Sequence, residues 1–324
     1  YVPQSLDDPI TPSNLTVRVG TRNGIRSGIP VAGLDSGTIY CQRSAKSLNE
    51  LAFTDTEQAY NTANISLLSS HLLNAPSDMA LRRSTSTEET DRLFIVNSGD
   101  GSMACYSLLR SQNVIAPSKF ITQGEFLAVG IDVETVYVII KRIINSSAKY
   151  FVEVFDSTLH SDSAVFVTGQ TSTATASHLV STTVDIINDG NVEAQQITNS
   201  SGQVTLTRQT ATNYELGLPF AMTIKTMPIQ PNSSGATSIK GFKKRIIEVN
   251  ADLHKSKCMT INNQLVPFRS LGEDVLDSPI QEFTGVKQIG PLLGFDREGI
   301  ITITQSIPLE LNILALDYKV SIGA

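Results

Sequence analysis

Arg92-Leu-Phe-Ile-Val-Asn97, Ser98-Gly-Asp-Gly101 and Ser102-Met-Ala-Cys-Tyr-Ser-Leu-Leu109 are the stretch on which the fold class turns. The first segment is β-branched and aromatic, the second is turn-forming, and the third returns with bulky apolar residues, which is the pattern of a β-hairpin. Asp100-Gly101 suits the turn. Asp tolerates the left-handed region, and Gly has no Cβ to clash at positive φ. Outward from this hairpin the same texture continues through Pro117 to Val129 and Thr135-Val-Tyr-Val-Ile-Ile-Lys-Arg142. Asn145-Ser-Ser147 then turns the chain into Tyr150-Phe-Val-Glu-Val-Phe155. Four or more antiparallel strands follow one another, and helix content is expected to fall well below the globular norm of about one third.

Upstream, Leu15 to Val19 alternates as a short strand, and glycines at 20, 24, 28 and 33 mark a looped region before strands at Thr38 to Gln42 and Leu48 to Thr54. Tyr60 to Leu73 reads as one short helix, with Asn64 as its cap and Leu68 and Leu72 on one face. Ser84 to Asp91 is polar and reads as an exposed loop, in which a phosphosite is a weak alternative to plain solvation.

Downstream of Asp156 the composition shifts: Ser157 to His178 is rich in Ser, Thr and Ala, with only Ala164 to Val167 as an apolar run. A domain boundary is expected there, giving 1–156 as a propeller-like β-sheet region and 157–324 as a β-sandwich or barrel. The second domain is read from seven short strands, Thr182 to Ile187, Val204 to Thr207, Ala221 to Met227, Ile246 to Asn250, Phe283 to Ile289, Ile300 to Gln305 and Leu311 to Tyr318. Loops around Pro228, Pro231, Asn232 and Gly235, and from Leu271 to Pro279, are candidates for contacts between subunits.

At 324 residues and 40% hydrophobic composition the chain can bury sizeable cores, and no apolar run approaches the roughly 20 residues that a membrane-spanning helix needs. No membrane span is expected. The opening Tyr1-Val-Pro-Gln4 has neither the basic nor the apolar region of a signal peptide and reads as a cut end of a longer protein. Cys41, Cys105 and Cys258 lie in apolar runs without CxxC spacing, so they read as buried free thiols. His71, His160, His178 and His254 are scattered without metal-ligand spacing, and no metal or other cofactor is expected. Five Asn-x-Ser/Thr sequons, at Asn14, Asn64, Asn145, Asn199 and Asn232, carry little weight without a secretory signal; at the last three, turn chemistry accounts for the residues directly.

Glu153, Asp156, Asp185 and Asp189 could supply the paired carboxylates of a glycosidase, but nothing in their spacing singles out a pair. Sugar clefts also favour flat aromatic faces, and this chain has no Trp and 6% aromatics. GxSxG, GxxxxGK[ST] and GxGxxG are absent. The expectation is therefore no catalytic site and no enzyme.

The ordered set of motifs resembles the nozzle (hub, or tail tubular B-type) proteins of short-tailed bacteriophages. It comprises Gly37-Thr-Ile-Tyr-Cys-Gln-Arg43, Leu48-Asn-Glu-Leu51, Ile65-Ser-Leu-Leu-Ser-Ser-His-Leu72, the Asp100-Gly101 turn, Gly124-Glu-Phe126 and Ile140-Lys-Arg142. It continues with Asn145, Tyr150-Phe-Val-Glu-Val-Phe-Asp156, Ser177-His-Leu179, Asn188-Asp-Gly190, Gly202-Gln-Val-Thr-Leu206, Glu215-Leu-Gly-Leu-Pro219 and Ile307-Pro-Leu-Glu-Leu-Asn-Ile-Leu-Ala315. Each motif is degenerate, and their order over most of the chain carries the likeness. Relatives usually place a Trp near the third central strand, where this chain has Lys119-Phe120, so core packing there must differ. The resemblance implies a virion tail protein, assembled in the host cytoplasm. It implies a homo-oligomeric ring, by resemblance a hexamer, that sits below the tail adaptor protein, neighbours tail fibre or spike proteins, and passes genomic DNA through its lumen. The alternatives are a receptor- or glycan-binding tail module and a tail-associated hydrolase.

The charge balance bears on the DNA. With 25 Lys plus Arg against 31 Asp plus Glu the net charge is −6, opposite to the basic footprint of a protein that grips phosphates. An acidic wall would let DNA slide. The basic cluster Lys240 to Arg245 leads into Ile246-Ile-Glu-Val249 and reads as a solvated strand edge rather than a phosphate site.

Overall fold

The computed structural model describes all residues except 1, 5–10, 14–15, 20, 35–36, 55–58, 87–88, 209–210, 231–240, 270–277, 291–293 and 324. It is mostly β, with 57% of residues in strands and no α-helix among those described. The chain divides into two compact units, Tyr1–Asp156 and Ser157–Ala324.

In the first unit, β1 (Val2–Gln4) pairs with β2 (Thr16–Arg18). Three consecutive antiparallel sheets follow. The first joins β3 (Ala32–Gly33), β4 (Gly37–Cys41), β5 (Leu48–Thr54) and β6 (Ala59–Asn64). The second joins β7 (Pro76–Arg82), β8 (Asp91–Asn97), β9 (Met103–Leu109) and β10 (Val114–Phe120), and the third joins β11 (Glu125–Asp132), β12 (Thr135–Ile144) and β13 (Ser147–Val154). Each strand hydrogen-bonds to its neighbour in sequence, so every sheet is a meander.

The second sheet explains the unbroken apolar runs from which the fold class was read. Leu93, Ile95, Ala104, Tyr106 and Leu108 face one way, into a core shared with Ile39, Cys41 and Leu48 of the first sheet. Phe94, Val96, Met103 and Cys105 face the other way, onto Phe126, Val129, Val136, Val138 and Ile140 of the third. A strand buried on both faces has no polar side to alternate with. Phe120, where the resemblance leads one to expect Trp nearby, packs edge-on against Phe94 and Phe155 at 6.2 and 5.4 Å between ring centroids.

The hairpin turns follow the sequence chemistry. Asn97 N donates to Ser102 O across the Ser98–Gly101 turn, the Asp100 carboxylate accepts from the Ser102 hydroxyl, and Gly101 sits at φ +66°. Asn145 and Ser146, at φ +48° and +60°, form a two-residue turn between β12 and β13, and a turn with both central residues at positive φ matches the right-handed twist of the strands.

The expected helix at Tyr60 to Leu73 is not formed. Tyr60 and Thr62 belong to β6, paired with Phe53 and Leu51, and only Ser70–Leu72 makes a single 3-10 turn. The Asn64 side chain does accept from Ser66 N and Ser66 Oγ, but it closes a local turn instead of starting a helix. Leu68, which a helix would have buried beside Leu72, is 94% exposed.

The second unit contains, in chain order, β14 (Asp162–Thr171), β15 (Thr173–Thr175), β16 (Thr183–Asn188), β17 (Asn191–Ile197), β18 (Gln203–Thr205) and β19 (Ala211–Leu218). These are followed by β20 (Met222–Lys225), β21 (Lys243–Ser256), β22 (Thr260–Ile261), β23 (Gln264–Leu265), β24 (Phe283–Ile289), β25 (Thr302–Gln305) and β26 (Ile313–Gly323). The sheet orders are β14-β19-β16-β17, β15-β18, β20-β25-β22-β23 and β24-β21-β26. No closed barrel is found among the described residues. The stretch read as a Ser/Thr-rich boundary contains β14, a ten-residue strand that pairs antiparallel with β19 from Asp162 to Thr171.

Candidate functional site

The third sheet of the first unit carries the most unusual surface. In β12 the even positions Val136, Val138, Ile140, Arg142 and Ile144 are buried, as a half-buried strand requires. The odd positions should then be polar. Instead they are Tyr137, Ile139, Lys141 and Ile143, and the register sets Val154 beside Tyr137, Val152 beside Ile139 and Tyr150 beside Lys141. Side chains directly opposite in an antiparallel pair share a face. Tyr137, Ile139, Ile143, Tyr150, Val152 and Val154 therefore form one continuous apolar face, each 39% to 73% exposed. Together they present roughly 600 Å² of apolar surface, at the upper end of the largest patch on a typical monomer. Ala128 and Gly130 of β11 lie in the same rows, and nothing stands within 4 Å of a Cβ built on Gly130.

The rim of this face is charged and turn-bound. At one end Asp132 pairs with Thr135 around the Val133-Glu134 turn, where Val133 is 77% exposed at φ +53°. A β-branched residue in that region is strained, and burial elsewhere in the turn does not repay it. At the other end Lys141 forms an ion pair with Glu125 at 3.1 Å.

A buried charge pair stiffens the sheet from beneath. Arg142, fully buried, donates to both Glu153 oxygens at 2.8 and 2.6 Å and to the Gln123 carbonyl at 2.9 Å. One guanidinium thus ties β12 to β13 and to the residues leading into β11. Sequence reasoning weighed Glu153 as a catalytic carboxylate and did not see this pairing, because the signal is a register relation between two strands.

The other flagged carboxylates are held in separate tasks. Asp156 is exposed just past β13. Asp189 accepts from Thr212 N and Asn213 N, pinning the Asp189-Gly190 turn to β19. Asp185 is buried in β16; its Oδ1 accepts from Gln195 Nε2 at 2.7 Å, while Oδ2 has no hydrogen-bond partner. Burial pushes its carboxyl above the ordinary value, and the neighbouring Glu215 charge adds to the rise despite the Gln195 amide. Glu215 behaves oppositely. Burial would raise it, but the backbone N–H groups of His160 and Ser161, the Ser161 hydroxyl and the His160 ring outweigh burial and hold it below its ordinary value. Glu193 is similarly held low against burial by Thr207, Asn188 and Arg208. These buried acids anchor loops to the sheet.

The basic cluster departs from its reading. Lys244 is 2% exposed, and its Nζ donates to the Arg297 carbonyl at 2.6 Å while its backbone pairs with Asp296 in both directions. The Arg245 guanidinium lies 6.0 Å from the Phe295 ring centroid. Alternation in β21 turns Lys244 inward, so the run is not a solvated edge, and Lys243 is its exposed member. Lys240 lies outside the described residues, as do Pro231, Asn232, Gly235 and most of the Leu271 to Pro279 loop.

Cys41, Cys105 and Cys258 are buried free thiols, and burial pushes Cys105 and Cys258 up to about 11, away from thiolate reactivity. Among the described residues no group of three or more His, Cys, Asp or Glu side chains could hold a metal ion. No helix among them is long and apolar enough to cross a membrane. No protein-family model matches the chain, and no curated protein does.

Proposed function

We propose that this chain is a structural subunit of a larger protein assembly, and that the assembly is a nozzle-type ring of a short bacteriophage tail. The observation that carries the first part is the apolar face of β11–β13, a surface large enough to be costly in water unless a partner covers it. Buried acids that anchor loops, together with the Arg142–Glu153 pair, suit a rigid part that presents fixed faces to neighbours.

The tail reading rests on the order of sequence motifs given above. Three successive sheets stacked face to face are compatible with blades of a propeller, and the sheets of the second unit with a sandwich. In this reading the protein has no catalytic role and no cofactor, and it assembles with adaptor and fibre or spike proteins in the virion. The negative net charge supports a lumen that repels phosphate and lets DNA pass without gripping it. Cryo-electron microscopy of the purified full-length protein tests the proposal: class averages with a ring and an open lumen support it, and particles without a lumen refute the ring.

Tyr137 and Tyr150 on one flat face favour a second reading as a receptor- or glycan-binding tail module, since sugar rings stack on aromatic faces. The aliphatic residues between them favour protein over sugar. Glycan-array binding that is lost in Tyr150→Ala would reverse that preference.

A further inference from the structure

We infer that the β24-β21-β26 sheet is the wall of the ring's channel: β26 of one copy pairs with β24 of the next, and the face turned away from the core lines the lumen. The inference rests on the ring reading and names both the seam between copies and the surface that DNA passes.

Both edges of this sheet are open. β21 holds β24 on one side and β26 on the other, and no described residue hydrogen-bonds to the far edge of either. Natural proteins guard such edges with prolines, bulges or short strands. The edge strand β10 follows that rule with Pro117. β26 does not: it contains no Pro, and from Ala315 to Gly323 it runs without a bulge, the extra residue at this point of the ladder, Ile247, being on β21. Tyr318 and Ile322 lie on the core side, opposite Val249 and Lys244, yet stay 39% and 43% exposed. One more strand along β26 would cover them.

Direction decides which strand that is. β24 and β26 each run antiparallel to β21, so they are parallel to each other. Rotation about an axis along the strands preserves their direction, so β26 of one copy meets β24 of the next as a parallel pair. Such a seam is heterologous, and heterologous seams close into rings, whereas β26 against β26 would stop at a pair. The rows of the sheet continue across this seam. Gln288, Asn250 and Asp317 share one row, and Val286, Asp252 and Ala315 share another. With the rows level, the Gln288 amide of the next copy approaches the Asp317 carboxylate, which has no hydrogen-bond or ion-pair partner among the described residues. The 59% exposed Val286 comes to lie beside Ala315.

The two faces differ as a channel wall requires. One packs Val249, Ala251 and Leu253 into a core shared with Ile261, Ile301 and Ile303. The other carries Glu248, Asn250, Asp252, Gln288, Asp317 and Lys319, none of them buried. Its three acids outnumber Lys319, and Arg245, the cation that precedes them on this face, lies against the Phe295 ring. A polar surface of negative balance repels phosphate. In the hexamer implied by the resemblance, three strands from each copy make a wall of about 18, a number at which a closed sheet leaves an aqueous channel.

Oxidative cross-linking of the full chain tests the seam, since its native cysteines are all buried. Asp317→Cys is combined in turn with Thr284→Cys, Val286→Cys and Gln288→Cys, exposed positions on the same face of the opposite edge that span the stagger a ring introduces. The expected result is a ladder of covalent species larger than two copies from one of the double variants, collapsing on reduction, with every single variant remaining uncross-linked. A covalent pair from Asp317→Cys alone would set β26 against β26 and overturn the inference. No ladder from any double variant, while sedimentation velocity shows a wild-type ring, overturns the seam and leaves the ring reading intact; a wild type that does not assemble removes both. Duplex DNA binding to the ring tests the lining: Glu248→Lys with Asp252→Lys should bind at least tenfold tighter than Asp132→Lys with Glu134→Lys, the same reversals at exposed positions of the first unit. Equal binding by the two overturns the lining.

Discussion

Replacing Glu153 by Leu should destabilise the first unit more than replacing Arg142 by Met, although the two substitutions remove the same ion pair. Arg142 is fully buried, whereas the Glu153 side chain keeps 18% of its surface in water. Without Glu153 the guanidinium loses both of its short charge-assisted contacts and remains in the core, a situation that typically costs about 3–5 kcal/mol. Without Arg142 the carboxylate can turn towards solvent, so the loss is nearer the 1–3 kcal/mol of hydrogen bonds to a charged group, and the methionine retains much of the buried stem. At about 2–4 °C per kcal/mol for a domain of this size, Glu153→Leu should lower the melting temperature of the transition that contains the first unit by roughly 6–20 °C. The double variant Arg142→Met with Glu153→Leu should recover part of that loss, since it leaves no buried charge. Calorimetry of the full chain measures the melting shifts, and hydrogen exchange in β12 and β13 assigns them to this sheet. Additive losses in the double variant, or a smaller loss for Glu153→Leu than for Arg142→Met, would refute the reasoning.

Further outcomes follow from other sites. Gly101→Val should cost about 2–3 kcal/mol, because φ is +66° and a Cβ there would stand 2.8–3.0 Å from Glu125, including its backbone; Gly99→Ala should cost less, since it meets only the end of the Asn74 side chain, and thermal melts of the pair compare them. Glu215, held below its ordinary value, contributes stability that is present above the unfolded-state value of about 4.3 and is lost as pH falls through the folded one; Glu215→Gln should lower stability at neutral pH and flatten that acid limb in urea titrations. Asp185, held above its ordinary value, works in the opposite sense: its ionisation costs stability above the unfolded-state value of about 3.9, so Asp185→Asn should gain about 1 kcal/mol at pH 7, a gain that vanishes at low pH. Short duplex DNA should bind more weakly than micromolar at physiological salt; tight binding that falls steeply with salt would reverse the proposed passage of DNA without gripping.

What the sequence made legible was whatever local chemistry could decide. The Ser98–Gly101 hairpin, the Asn145-Ser146 turn and the β8–β9 runs are visible because turn residues and continuous apolar stretches are read within a few positions. The hidden parts depend on partners far along the chain. β17 (Asn191–Ile197) and β19 (Ala211–Leu218) went unread because Glu193 and Glu215 make them look polar, yet both carboxylates are buried and bonded to loops. The misread helix had the right spacing at Leu68 and Leu72 and even a capping Asn64, but pairing with β5 claimed Tyr60 and Thr62 first. The candidate face was hidden in plain view: Tyr137, Ile139 and Ile143 lie in a continuous apolar run, and only the alternation of burial along β12 shows that they point outward.

The contrast in connectivity between the two units has a kinetic consequence. In the first unit every sheet is a meander, so each hairpin can close as soon as its strands exist and the next strand adds to a formed edge. In the second, β14 waits for β19, β20 for β25, and the long β21 for β26, whose pairing reaches from Lys243 to Gly323. Loop closure must precede such contacts, and chains dominated by them fold slowly. On a ribosome the first unit can be complete while β21 still has an open edge awaiting β26. Synthesis of β26, rather than of the first unit, then sets the moment at which that edge becomes safe from edge-to-edge aggregation.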